Sequence, residues 1–236
     1  MRTYIVDIDG IEAAQGQDLF ALGLFPEGGT FLDIGSGSPI KDNNTYMLEE
    51  NGWKGICVDN ISEDSLKKEF LSLESAYKEK RESQFFNIDA CSDEFIDLIT
   101  EHYPSKIIDY ISLDIDNYSL ECLVNIIKNG FNFKCMTFEH DLYQKKAQSY
   151  ITKYQSKDLL LSRGYFPVFE NVGLNGYQPL EDWWINLNYF PEYKINCSSY
   201  NLPWQNCIHK LGLFIRQNKK NELFVEKLDK IFKEKS

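Results

Sequence analysis

The chain has 236 residues, a formal net charge of -11 and a sequence pI near 4.8. That length is enough for one domain, 1–236, with a full hydrophobic core. An acidic surface repels a phosphate backbone, so nucleic acid is not an expected partner.

Residues 1–29 read as an N-terminal segment, with acids at Asp7 and Asp9 where a signal peptide needs an apolar core. Thr30 to Ile34 is a short apolar run ending in a glycine turn, the pattern of a buried parallel strand. A helix is predicted over Asn44 to Glu50, with Asn43 or Asn44 as its cap and Asn51-Gly52 as its stop. Gly55 to Val58 makes a second strand ending at Asp59. A charged helix over Ser62 to Lys80 leads to a third strand, Phe85 to Asp89, and a further helix over Ser92 to Glu101. The fourth strand, Ile107 to Leu113, ends in Asp114-Ile115-Asp116. The helix after it sets Leu120, Leu123, Val124 and Ile127 on one face and stops at Asn129-Gly130. Phe133 to Phe138 is a fifth strand, ending in Glu139-His140-Asp141, and a long helix follows from about Gln144 to Ser162. Tyr165 to Phe169 resumes an extended pattern. From 173 to 236 the chain reads as an aromatic-rich C-terminal decoration, with Ile208 to Arg216 expected as a last strand and Lys220 to Lys233 as a last helix.

Repeated alternation of strand and helix predicts an α/β fold, a Rossmann-like doubly wound sheet with helices on both faces, whose cofactor-binding core is 30–172. The six cysteines, at 57, 91, 122, 135, 197 and 207, show no C-x-x-C spacing, so buried reduced thiols are expected rather than zinc. No apolar run approaches a membrane span, and a cytoplasmic protein is expected. The basic residues of the tail are interleaved with acids, the pattern of a solvated helix face.

In an open α/β sheet, ligands bind where the carboxyl ends of the strands meet the loops. All five strands end in polar residues there: Asp33, Asp59, Asp89, Asp114 with Asp116, and Glu139 with His140. Gly35-Ser36-Gly37 follows the first strand and supplies small residues that let a ligand approach the backbone. Asp59, about twenty residues on, is placed to accept from ribose hydroxyls. The third glycine of the dinucleotide fingerprint is absent, with Lys41 near its place, and no phosphate-loop motif exists. An adenosine without a pyrophosphate, as in S-adenosylmethionine, suits this pattern better than NAD.

Four stretches resemble the FkbM-type methyltransferases. Gln15-Gly16-Gln17-Asp18 is similar to the family's Q-x-G-Q-D segment, with Gln15 one step closer. Residues 31–59, FLDIGSGSPIKDNNTYMLEENGWKGICVD, resemble F-x-D-I-G-A…S-N-T-x-x-L-E…G-W-x-G-x-x-I-E. Residues 109–123, DYISLDIDNYSLECL, resemble D-Y-L-S-L-D-x-E-G-x-E-x-x-x-L, and residues 137–140, TFEH, resemble T-x-E-H. Asn43 replaces the usual Ser, Asp59-Asn60 replaces Glu-Pro, and Asp116-Asn117 replaces Glu-Gly. The resemblance implies a Rossmann-like methyltransferase fold and O-methylation of a saccharide or small-molecule hydroxyl.

The residues expected to bind S-adenosylmethionine are Gln17, Asp18, Asp33, Gly35, Ser36, Gly37, Asn44, Thr45, Asp59, Asp89 and Asp114. Asp89 would accept from the adenine amino group or else cap a helix beside Ser92. Gln17 and Asp18 would close over the cofactor or else begin a helix. His140, Asp116 and Glu139 are the candidate bases for the acceptor hydroxyl; His140 has the suitable intrinsic pKa but would also suit packing against a carboxylate. Asp114, Asp116, Glu139 and Asp141 together form a candidate site for Mg²⁺. The aromatic segment around Glu181-Asp182-Trp183-Trp184 is expected to form either an acceptor face or the core of a C-terminal cap. Competing expectations are an NAD-dependent oxidoreductase and a catalytically silent binding module. Self-association as a homo-oligomer is the other partner considered.

Overall fold

The computed structural model describes residue 13 and residues 15–25, 27–60, 67–173, 178–191 and 199–217. Its strands are β1 (Thr30–Ile34), β2 (Lys54–Asp59), β3 (Gln84–Asn87), β4 (Ile107–Leu113), β5 (Asn132–Glu139), β6 (Tyr165–Val172), β7 (Glu181–Asn186) and β8 (Ser199–Tyr200). Its helices are α1 (Gln17–Leu24), α2 (Tyr46–Glu50), α3 (Lys67–Lys80), α4 (Asp93–His102), α5 (Ser119–Lys128), α6 (Ala147–Ser162) and α7 (Trp204–Gln217). The strands form one sheet in the order β3-β2-β1-β4-β5-β7-β6-β8. β1 to β5 are mutually parallel, and β7 runs antiparallel between β5 and β6.

Side-chain alternation along buried strands produces two cores, one on each face of the sheet. On β1, Phe31 packs with Leu19 and Phe20 of α1, Leu48 of α2 and Ile208 and Leu211 of α7. Its neighbour Leu32 packs on the other face with Phe95 and Ile99 of α4, Leu123 and Ile126 of α5 and Leu160 of α6. The adjacent Trp183 and Trp184 divide the same way, one into each core. The result is a mixed α/β fold with a mostly parallel sheet and helices on both sides, compatible with the Rossmann-like class. Among the described residues no helix is long and apolar enough to cross a membrane.

Local signals operate where they were read. Ser92 caps α4, its Oγ accepting from the Phe95 N–H at 3.1 Å. α5 ends at Asn129, followed by Gly130 at φ 83°. Two expectations are corrected. Ile208 to Arg216 is not a strand but the greater part of α7, because Cys207, Ile208, Leu211, Phe214 and Ile215 are buried at helical spacing. The helix expected from Gln144 begins at Ala147, after a 3₁₀ turn over Leu142–Gln144. Of the predicted 62–80 helix, Lys67–Lys80 is present and 62–66 lies outside the described residues, as do the predicted 220–233 helix, Tyr177 and Cys197.

Candidate functional site

Strand order reverses between β1 and β4, since β1 pairs with β2 on one side and with β4 on the other. The loops after such a pair diverge and leave a crevice. Here it is a cleft of about 290 Å³ lined by Ile34, Gly35, Val58, Asp59, Asn60, Ile88, Asp89, Ala90, Cys91, Ile115, Tyr118 and Glu121. Among the described residues the lining holds three carboxylates and no Lys, Arg or His. Gly35, Asp59 and Asp89, predicted from separate strand ends, meet in it.

The glycine loop is shaped by its neighbours. Gly35 has φ 82°, and a Cβ there would lie 1.7 Å from the Asp114 carbonyl oxygen, so only glycine fits between β1 and β4. The N–H groups of Gly35 and Ser36 donate to the Val58 carbonyl at 2.8 and 3.2 Å. The Gly37 N–H donates to Asp59 Oδ2 at 2.8 Å, while Asp59 Oδ1 accepts from the Asn60 N–H at 2.7 Å. All three loop amides are thus satisfied within the protein. Buried Ser36 Oγ has no hydrogen-bond partner among the described residues.

Several predicted binding residues sit beneath the loop rather than in the cleft. Asp33 is buried and accepts from Thr45 Oγ1 at 2.8 Å; burial pushes its carboxyl up to about 6. Asn44 donates to Ser112 Oγ at 2.9 Å. Gln17 and Asp18 open α1 and are buried. Gln17 Oε1 accepts from the Gln15 N–H at 2.9 Å, and the Gln17 side chain also bonds Glu181. Asp89 is not the cap of α4, a role Ser92 fills; its Oδ1 accepts from the Cys91 N–H at 2.9 Å and its side chain is exposed.

Beside the cleft, the ends of β4 and β5 bring acids together. One carboxylate oxygen from each of Asp116, Glu139 and Asp141 lies within 4.8 Å of the others. Asp116 and Asp141 both have left-handed backbone, φ 52° and 53°. Asp114, the fourth residue of the expected set, instead shares a side-chain hydrogen bond with Glu139. Burial, the bond to Asp114 and the neighbouring charges push the Glu139 carboxyl up to about 11, so the Asp114–Glu139 pair holds a proton at neutral pH. Burial also raises Asp114 and Asp141.

The expectation that His140 faces the crevice as a base is corrected. Its side chain is fully buried, with Nδ1 accepting from the Leu142 N–H at 3.2 Å and Nε2 facing Asp182 Oδ1 at 3.3 Å. Both nitrogens are occupied, and neither has a lone pair free for a substrate proton. Asp182 is buried too and also accepts from the Asn171 N–H at 2.8 Å; His140 first and then Lys153 hold its carboxyl well below the usual range despite burial. Trp183 and Trp184 are fully buried in β7, so they form core and not an acceptor face.

Sequence reading passed over Tyr118, Cys91 and Glu121 in the cleft, and over Tyr77 and Arg81 beneath the loop. Arg81 gave no distinct signal, because it follows Lys78 and Lys80 at the end of a charged helix and reads there as ordinary surface. No protein-family model matches the chain, and no curated protein matches it.

Proposed function

We propose that this protein is an S-adenosylmethionine-dependent methyltransferase that acts on a hydroxyl of a saccharide or small molecule. The observation that carries the reading is a nucleoside-sized cleft whose described residues offer acceptors for a ribose but no cation or free amide for a phosphate. Asp59 presents a carboxylate whose oxygens each keep a lone pair beyond the bonds to Gly37 and Asn60. Asp89 and Glu121 add negative charge, and Val58, Ile88, Ala90 and Ile115 supply apolar walls. Pyrophosphate sites use free backbone amides at a glycine turn. Here those amides are already bonded to Val58 and Asp59. A neutral nucleoside joined to a cationic sulfonium is therefore favoured over NAD. The antiparallel β7 beside β5, where dinucleotide folds place a parallel strand, points the same way.

S-adenosylmethionine, when bound, supplies an electrophilic methyl group on sulfur. The protein's part is to align the acceptor oxygen with it and to receive the hydroxyl proton. With His140 buried and Glu139 sharing a proton with Asp114, Asp116 and Asp141 are the carboxylates we assign to that proton. A divalent cation on Asp116, Glu139 and Asp141 is a second route, since three oxygens within 4.8 Å suit a hard ion once Glu139 gives up its proton.

Calorimetric titration with S-adenosylhomocysteine, with and without Mg²⁺, tests the proposal. Binding with Kd on the order of micromolar is expected, about -8 kcal/mol. NAD binding in place of S-adenosylhomocysteine would replace this reading with the oxidoreductase one. Failure of both ligands to bind would leave a binding module. A cation requirement for S-adenosylhomocysteine binding or turnover would assign the acid trio.

A further inference from the structure

The glycine loop is held from below by residues that never reach the cleft. Asn43 stands at the centre. Its Nδ2 donates to the Ser36 carbonyl at 2.9 Å and to the Ser38 carbonyl at 3.0 Å. Its Oδ1 accepts from the N–H groups of Thr45 at 3.0 Å and Tyr46 at 2.8 Å, and from Arg81 Nη1 at 3.0 Å. Arg81 is itself buried. Its Nη1 also donates to the Pro39 carbonyl at 2.9 Å, its Nη2 to Thr45 Oγ1 at 3.2 Å, and its Nε pairs with Glu49 at 3.1 Å. The Tyr77 hydroxyl lies 3.3 Å from the Gly37 carbonyl.

We infer that Asn43, locked in place by Arg81, is a positioning residue that orients Asp59 through the loop backbone. The path is continuous. Arg81 fixes Asn43, Asn43 fixes the carbonyls on either side of Gly37, and the Gly37 N–H between them fixes Asp59 Oδ2. Gly37, at φ 54°, adopts this conformation without cost but is as free to leave it, so the side-chain amide supplies the restraint. The planar fork of Arg81 meets four acceptors on three sides, which a lysine ammonium on a flexible stem does not reproduce. This inference rests on the reading of Asp59 as the ribose acceptor for its consequence in binding, but not for its structural part.

The experiment substitutes Asn43→Asp. The carboxylate keeps the acceptor that Thr45, Tyr46 and Arg81 use and adds a charge facing Arg81, so the fold is retained. It loses both donors and turns an anion toward the Ser36 and Ser38 carbonyls. Hydrogen exchange of the backbone amides in the free protein is the first readout: the Gly37 amide is expected to exchange about tenfold faster or more, with the thermal midpoint nearly unchanged. The second is a double-mutant cycle with Asp59→Ala, read as S-adenosylhomocysteine affinity. Asn43→Asp alone should weaken binding about tenfold, and should weaken it little further once Asp59 is gone. Arg81→Lys should reproduce both effects in smaller measure, and it replaces Asn43→Asp if that variant does not fold. Unchanged Gly37 exchange, or additive losses in the cycle, would overturn the inference. If wild type binds no S-adenosylhomocysteine, the proposed function fails and the exchange result alone decides the role of Asn43.

Discussion

A side chain at position 35 would have to displace the backbone just beyond β4, because the ideal Cβ meets the Asp114 carbonyl oxygen at 1.7 Å and the Ile115 side chain at 3.0 Å. The positive φ of 82° adds the cost that any L residue incurs there. Gly35→Ala is expected to cost about 2–4 kcal/mol of stability, and to abolish ligand binding in whatever fraction folds. Chemical denaturation beside calorimetry checks both. A stable variant with wild-type affinity would show that β1 and β4 separate more easily than their packing indicates. The neighbouring glycine behaves differently. A Cβ on Gly37 meets nothing within 4 Å, so its constraint is conformational only, and Gly37→Ala should be the milder change.

Elements differ in how openly their sequences declare them. β1, β2 and β4 are short apolar runs with acids at or beside their carboxyl ends, and those ends, with that of β3, line the cleft that Asp59 and Asp89 marked in the sequence; β5 ends beside it. The sixth position of the sheet was not legible. β7 reads Glu181-Asp182-Trp183-Trp184-Ile185-Asn186, with three charged or polar residues in six, yet every one is buried. What makes that tolerable is partners from distant elements: Lys153 of α6 and His140 for Asp182, Gln17 of α1 for Glu181. No local pattern contains those pairings. α7 failed for a different reason, since a dense apolar segment satisfies either period until its polar positions are placed. The buried status of Trp184 gives a direct test of the core assignment. Trp184→Ala is expected to lower stability by about 3–5 kcal/mol, read as a shift of the urea midpoint. A tryptophan serving as an acceptor platform would leave that midpoint almost where it was.

Across the whole molecule, the unusual feature is how many acids are gathered at one end of the sheet, where β4 and β5 finish and β7 begins. β5 and β7 place Glu139 directly opposite Glu181, and Asp114 and Asp141 lie close by. The chain already carries a net charge of -11, so the fold concentrates the charge that its composition makes most costly. Glu181 shows the consequence. It is buried, with Oε1 accepting from Trp183 Nε1 at 2.8 Å, and burial pushes its carboxyl up to about 8. Its folded pKa therefore lies above the unfolded value near 4.5, and the folded state binds its proton more tightly. The stability that this preference contributes is complete below about pH 4.5 and is lost progressively as pH rises through about 8. Glu181→Gln keeps the acceptor for Trp183 and removes the ionisation. Wild type should lose on the order of a few kcal/mol between pH 5 and pH 9 that the variant retains, measured as urea midpoints across that range. Parallel curves for the two proteins would mean that Glu181 ionises as readily in the fold as outside it. A ligand cation seated at this end would reverse the slope by favouring the ionised acids, so the same pair of curves repeated with Mg²⁺ or S-adenosylmethionine present reports whether positive charge is what the acid-rich end is built to receive.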